Sequence, residues 1–553
     1  MEGCVHSRPA ATMTPVEERA VRRSITVLPA PVVLTLVTLT VAVAAVALGR
    51  VAGASVGERP SPNIVIIYAD DLGYGDVQCY NPDRGKIPTP HIDRLAAAGM
   101  RFTDAHSSSG VCSPSRYTLL TGRYHWRTRL QSGIVGLWEK PLITPERLTI
   151  AGLVKRHGYR TACVGKWHLG WDWPIESPER PLLGATAKGR PRSTPADVTA
   201  AHRAAWQAIF SRPIAGGPTA RGFDLYFGTD VPNWPPYCFI ENDRTVGIPT
   251  TLLPPEDFQH HRASQQGPAL EGWRLEAVLP ALRDRAVAFI EEAAHAPVPF
   301  LLYLPLTSPH TPLAVNERWR GRSGLDNACA DLVMETDAVV GDVLAALERA
   351  GVVERTLVVF TSDNGFAPYV GAKELEARGH FPSGPFRGYK ADAWEGGHRV
   401  AFVVRYPGVT PAGGTCDALV HQADLLATIA DVLGAKLPPD AGEDSVSLLP
   451  LLQGRTDAVR QHAVSCSSKG VPAIRDGRWK LILGSGGGGF TADVGGAGDW
   501  LSDLGVDPAE RENLAVREPD RVAALRAAYA RIVADGRSTP GPVQANDVPV
   551  KPR

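Results

Sequence analysis

Short unbroken apolar runs punctuate the chain, and most of them end in a polar cluster. Ile64 to Tyr68 leads into Asp70 and Asp71, and "YRTACVGKWHLG" leads to Lys166 and His168. "PFLLYLPLTSPH" ends at His310, "TLVVFTSDNG" ends at Asp363 and Asn364, and "RVAFVVRYPG" is a fifth run. Runs this short and this continuous predict strands buried on both faces. Between them, "TPHIDRLAAAGM", "LTIAGLVKRHG" and "ADLVMETDAVVGDVLAALERAG" space their apolar residues by three and four, which predicts helices. Strands alternating with helices predict an α/β fold around a largely parallel sheet. Ligands of such sheets bind outside the carboxyl ends of the strands. Four polar clusters fall at that edge, and together they form a site hypothesis that one alone would not.

The pattern changes at both ends. Arg19, Arg22 and Arg23 precede an uncharged run from Ser24 to Gly49, followed by small residues at Ala52 and Ala54. That order predicts an export signal over residues 1–55, and the run is also long enough to serve as a membrane anchor. Either reading puts the rest of the chain outside the cytoplasm, as a periplasmic, secreted or membrane-anchored protein. A buried N-terminal helix is the plainer alternative. Residues 56–440 are expected to hold the main domain. Residues 441–538 read as a smaller α+β unit: "HAVSCSSKGVPAIRDGRWKLIL" gives short strands turning at Asp476-Gly477, and "PDRVAALRAAYARIVADG" gives a helix. Residues 175–220 read as a surface excursion, 485–499 ("GSGGGG") as a flexible loop, and 539–553 as a loose tail.

Composition narrows the function. Lys plus Arg and Asp plus Glu number 58 each, so no overall field favours nucleic acid, and an anionic ligand would need a local cluster. The eight cysteines, at 4, 79, 112, 163, 238, 329, 416 and 466, include no Cys-x-x-Cys pair, which argues against a zinc cluster. Disulfides are allowed in an exported chain, but spacing does not assign them.

The clusters suggest their own chemistry. Asp70, Asp71, Asp363 and Asn364 offer only oxygen, which suits a hard cation, and calcium tolerates an irregular set better than magnesium. A lone Asp-Asp would be read as a cap or turn; a second oxygen pair at another strand end favours a metal. Lys166, His168, His310 and Lys390 could clamp an anion and supply a proton, the kind of cluster that stabilises charge on a transferring phosphoryl or sulfuryl group. Singly, each would be a solvated lysine or a structural histidine. Cys112 sits in "VCSPSRYTLLTGR" beside Arg116, a setting open to a structural thiol, a disulfide or an activated thiolate.

The segment "CSPSRYTLLTGR" resembles the signature of the sulfatase family, C-x-P-S-R followed by a leucine and T-G-R. The likeness continues through "PNIVIIYADDLGYGD", "GYRTACVGKWHLG", "FLLYLPLTSPHTPL", "VVFTSDNG" and "YKADAWEGGHRV", and weakly through "AIRDGRWKLIL". It is closest in flavour to the arylsulfatase A-like branch of the alkaline phosphatase-like superfamily. The resemblance implies a large mixed, mostly parallel sheet between helices, with a smaller C-terminal domain holding a short antiparallel sheet. It implies that a maturation enzyme oxidises Cys112 to formylglycine. One hydroxyl of the hydrated aldehyde would attack sulfur, and the second would expel sulfate. It further implies calcium on Asp70, Asp71, Asp363, Asn364 and the modified Cys112. Arg116 would hold the diol and balance the carboxylates, and His168 would orient or deprotonate it. Lys166 and Lys390 would grip sulfate, and His310, with Lys390, would protonate the leaving oxygen. Arg123 is expected to be a structural ion-pair partner.

The implied reaction is hydrolysis of a sulfate monoester on a sulfated carbohydrate, another sulfated small molecule or an aryl sulfate. Phosphonate monoester or phosphodiester hydrolysis is the alternative, since some relatives share the cysteine motif. Departures from the family pattern include Ala401 where many relatives have proline and "WLSDL" where Tyr-Asp-Leu is common. A sulfate-contacting serine of some relatives has no clear counterpart; Asp230 and Asn233 lie in its neighbourhood and read as a structural loop or as substrate contacts.

Overall fold

The first apolar run becomes β1 (Asn63–Ala69), buried along its whole length. The computed structural model describes residues 61–183, 198–258, 264–492 and 498–550, so the segment read as an export signal or anchor lies outside the described residues. Among the described residues no helix is long and apolar enough to cross a membrane. The other strands of the main sheet are β2 (Met100–Phe102), β3 (Arg160–Lys166), β4 (Leu225–Thr229), β5 (Ile240–Glu241), β6 (Arg244–Thr245), β7 (Phe300–Pro305), β8 (Thr356–Ser362), β9 (Phe402–Arg405) and β10 (Gly414–Cys416). Their order is β10-β2-β9-β8-β1-β7-β3-β4-β5-β6. The five strands β8, β1, β7, β3 and β4 run parallel. Antiparallel pairings of β9 with β8 and of β5 with β4 begin the flanks. The sheet is therefore mixed and mostly parallel.

Alternation along β1 explains why its run is continuous. Ile64, Ile66 and Tyr68 face a layer with Leu119, Ile150 and Leu425, from the helices Cys112–Thr121, Ile150–Lys155 and Asp424–Val432. Val65, Ile67 and Ala69 face a layer with Leu95, Leu282 and Val340, from the helices Pro90–Ala97, Val278–Ala293 and Ala328–Arg349. Each fully buried aliphatic side chain stabilises the sheet by about 1.5–3 kcal/mol. The result is a rigid platform whose carboxyl edge can hold charged groups in fixed places.

A second sheet of four antiparallel strands, β11 (His462–Cys466), β12 (Pro472–Asp476), β13 (Trp479–Ile482) and β14 (Trp500–Asp503), lies near the C-terminus. Its Val464, Ile474 and Leu501 share a core with Tyr529 and Ile532 of the helix Pro519–Ala534 and with Tyr124 and Trp126.

Three segments differ from their sequence reading. The excursion contains a helix, Ala200–Phe210, that buries Trp206 and Phe210. The glycine run is stitched down: Ala393 N donates to Gly487 O at 2.7 Å. The final segment is held through Arg123, which donates to Asp547 at 2.8 Å, and Gln131, which donates to Pro549 O at 2.9 Å. In each case the contacts are remote in sequence, so local composition could not reveal them. The seven described cysteines are free thiols, five of them buried.

Candidate active site

Strand register builds the acidic part of the site. Ala69 of β1 pairs with Ser362 of β8, which sets Asp70 and Asp363 side by side just past the sheet edge. Asp71 takes a left-handed backbone (φ 67°) and its N–H donates to Asp363 Oδ1 at 3.1 Å. Asn364 donates through Nδ2 to Asp71 Oδ1 at 2.8 Å, while its Oδ1 is buried without a hydrogen-bond partner. Ligand atoms of Asp70, Asp71, Cys112 and His310 all lie within 4.8 Å of one another.

Cys112 is the first residue of a helix, Cys112–Thr121, in which every residue is buried. Ser115 Oγ donates to Val111 O at 3.1 Å and fixes the turn into the helix. Pro114 is tolerated there because first-turn N–H groups have no helical partner. Gly122 (φ 64°) closes the helix in the left-handed region, where glycine is favoured. The Cys112 thiol lies 3.6 Å from Asp70 Oδ1 and 4.0 Å from Lys390 Nζ. Burial pushes it up to about 12 despite Lys166 and Lys390.

Three cations face the three carboxylates. Arg116 donates through Nε and Nη2 to Asp363 Oδ2 at 3.1 and 2.8 Å, through Nη1 to Lys166 O at 3.2 Å, and lies 3.4 Å from Asp70. Lys166 pairs with Asp70 at 2.7 Å and Lys390 with Asp71 at 2.6 Å. Burial acts to raise the Asp70 carboxyl, but Lys166, His310, Arg116 and Lys390 outweigh it and hold it well below the usual range. Asp363 goes the other way: burial and the like charge of Asp70 push it up. It is a carboxylate short of positive charge. Together with the orphaned Asn364 oxygen, that shortage fits a hard divalent cation held by Asp70, Asp71, Asp363 and Asn364.

The histidines flank this core. His310 lies in the loop after β7, which is tied back where Asp70 N donates to Ser308 O at 3.0 Å. Its Nδ1 donates to Thr311 O at 2.6 Å, leaving Nε2 3.6 Å from Asp71. Burial, reinforced by Lys390, pushes His310 down to about 4. His168 donates from Nε2 to Val135 O at 3.1 Å, and its Nδ1 is buried without a partner. Burial, with Lys166, holds His168 well below its ordinary value, so it is a neutral acceptor. Lys390 is set by two backbone bonds: its N donates to Phe366 O at 2.8 Å, and Ala391 N donates to Gly110 O at 2.6 Å. The Lys390 loop is thereby joined to the segments carrying both Asp363 and Cys112.

Asp70, Asp71, Cys112, Arg116, Lys166, His168, His310, Asp363, Asn364 and Lys390 thus converge at this edge. Arg123 is a buried ion-pair partner, 2.7 Å from Glu443. Asp230 Oδ1 accepts from the His168 N–H at 3.1 Å, so it braces His168; burial pushes its carboxyl up to about 6. The Asn233 carbonyl accepts from the Tyr237 hydroxyl and Gln265 N, at 2.8 and 3.0 Å. No pattern in the sequence singles out Tyr369, whose phenol accepts a hydrogen bond from Lys390. Its only signal is an aromatic residue shortly after Ser362-Asp363-Asn364-Gly365.

An α/β sheet with this acid–base cluster at its carboxyl edge has an alkaline phosphatase-like architecture, and the comparisons with known proteins specify it further. The family model described as Sulfatase matches residues 62–435. An N-acetylgalactosamine-6-O-sulfatase of Bacteroides thetaiotaomicron is 30% identical over 512 residues, covering 84% of this chain and 91% of the relative. Human arylsulfatase A is 32% identical over 483 residues, covering 82% and 83%. A solved Bacteroides thetaiotaomicron sulfatase, described in work on metabolism of multiple glycosaminoglycans, superposes with a TM-score of 0.71 at 28% identity, covering 86% of this chain and 99% of that one. The chain belongs to the sulfatase family, and it is an enzyme that hydrolyses sulfate esters.

Proposed function

We propose that the enzyme acts through a formylglycine made from Cys112, with calcium held by Asp70, Asp71, Asp363, Asn364 and the modified residue, on a sulfated carbohydrate or aryl sulfate. The observation that supports this most is the setting of that cysteine. Cys112 stands at the centre of the charged cluster, 3.6 Å from Asp70 and 4.0 Å from Lys390, as the first residue of a wholly buried helix that opens with the Cys-Ser-Pro-Ser-Arg sequence resembling the sulfatase signature. The hydrated aldehyde would supply one hydroxyl to attack sulfur and a second to release sulfate; calcium would polarise the sulfate oxygens and the attacking group.

The chain's own residues do the rest. His168 Nδ1, the buried neutral acceptor, would hold a proton given up by the modified residue 112. Arg116 keeps the acidic wall charged and fixed through Asp363. Lys166 and Lys390, paired with carboxylates here, turn their remaining donors to the ester's sulfate oxygens. His310 serves the leaving oxygen. Its Nε2 is free of backbone bonds, and the negative charge of the arriving ester raises its affinity for the proton it then delivers, with Lys390 beside it. Acid assistance of this kind contributes about 10²–10⁴ in rate.

The N-terminal segment 1–55 is proposed to export the chain, as a cleaved signal or as an anchor. The substrate class is tested by comparing kcat/KM for 4-nitrophenyl sulfate with that for bis(4-nitrophenyl) phosphate. Preference for the sulfate is expected; preference for the diester would transfer the reading to phosphodiester hydrolysis.

A further inference from the structure

Two aromatic side chains beside the site do no structural work that would require their exposure. Tyr369 is 41% and Phe490 56% exposed. They come from segments more than a hundred residues apart, yet their rings meet edge to face, with centroids 5.7 Å apart and planes at 90°. The Tyr369 phenol accepts from Lys390 and lies within the electrostatic reach of Asp71 and Cys112. The pair therefore stands over the Lys390 side of the site, where the leaving alcohol is handled in the reading above.

Phe490 is held there by construction. The glycine run lies so close to the Lys390 loop that side chains are excluded. A Cβ on Gly487 would come within 2.2 Å of the Trp394 indole nitrogen, and one on Gly489 within 2.4 Å of the Ala391 carbonyl carbon. Ala393 N donates to Gly487 O at 2.7 Å, and Thr491 N donates to Asp392 Oδ1 at 3.1 Å. These bonds bracket Phe490 on both sides and join it to the loop that carries Lys390. A segment that reads as a flexible linker is a close-fitting mount for one exposed ring.

Resting on the sulfatase reading, we propose that Tyr369 and Phe490 form an aromatic rim that binds the ring of the leaving alcohol. The enzyme then selects sulfate esters whose alcohol presents a flat or C–H-rich ring face, and discriminates against flexible alkyl sulfates. Two perpendicular rings offer one face and one edge, so a ring lying against one of them is also contacted by the other. A phenol and a pyranose share this chemistry.

The test compares Phe490→Leu, Tyr369→Leu and Tyr369→Phe with the parent on 4-nitrophenyl sulfate, galactose 6-sulfate and n-butyl sulfate. For both leucine variants the loss in kcat/KM on a ring ester should exceed the loss on n-butyl sulfate by about threefold to tenfold, and it should lie mainly in KM. Tyr369→Phe keeps the ring and should keep the selectivity. A loss confined to one of the two ring esters supports the rim and names its substrate. Equal losses on all three esters overturn it. The same comparison of dissociation constants, by calorimetry in a Cys112→Ala background, does not depend on turnover. If the parent hydrolyses no sulfate ester the sulfatase reading fails, whereas an unchanged binding ratio between ring and alkyl sulfates overturns the rim.

Discussion

Replacing Arg116 by methionine removes a guanidinium from the middle of the site while keeping much of its volume. The guanidinium is almost wholly buried and makes three hydrogen bonds, two to Asp363 and one to the Lys166 carbonyl. Removing one partner of a buried ion pair costs about 3–5 kcal/mol. Asp363 is already pushed up by burial and by Asp70, so it would take up a proton. Protonation relieves part of the penalty and places the expected loss near the low end, about 3 kcal/mol. It also removes a charge that the proposed calcium site needs, so calcium affinity and activity should fall with stability. Arg116→Lys keeps the charge, but a single ammonium cannot reproduce the planar fork, so it should recover only part of each loss. Urea unfolding followed by tryptophan fluorescence gives the stability, and calorimetry gives the calcium affinity. Arg116→Met within about 0.5 kcal/mol of the parent, with unaltered calcium binding, would show that the Arg116–Asp363 pair supports neither the fold nor the metal site.

Other substitutions separate chemistry from structure. Cys112→Ala should abolish turnover and leave the circular dichroism spectrum unchanged; Cys112→Ser, with one hydroxyl, should accumulate a sulfated protein detectable by its intact mass. Asp363→Ala should weaken calcium binding and activity together, and added calcium should partly restore both; activity indifferent to calcium would count against the metal assignment. His125 is buried, and burial lowers it to about 3. The unfolded chain therefore binds its proton first, and the stability it contributes is full above about pH 6.5 and is lost as pH falls toward 3. Between pH 7.5 and 5, His125→Asn should lose about 2 kcal/mol less stability than the parent; parallel pH profiles would contradict this.

The central strands were legible because burial on both faces forces an unbroken apolar run, and each run marks its own carboxyl end. Asp70, Lys166 and Asp363 were therefore placed by pattern alone. His310 ended a fourth such run, five residues beyond β7, but Lys390 ends no strand: it sits in a loop set by bonds to the carbonyls of Gly110 and Phe366. Residue chemistry grouped Lys390 with the other cations, and the family resemblance gave it a place in the site. The glycine run misled for the same reason. Composition reports what a segment would do alone, whereas Gly487 and Gly489 are small because Trp394 and Ala391 press against them. Tyr369 and Phe490 belong to no periodic pattern, and their meeting exists only in the folded chain.

Cys112 is proposed to be a precursor and not the reactive group. Mass spectrometry of the tryptic peptide Phe102 to Arg116, from active protein made alongside a maturation enzyme, tests it directly. The expected peptide is one in which residue 112 has lost its sulfur and carries an aldehyde, in proportion to specific activity. Unmodified cysteine throughout fully active protein would contradict it.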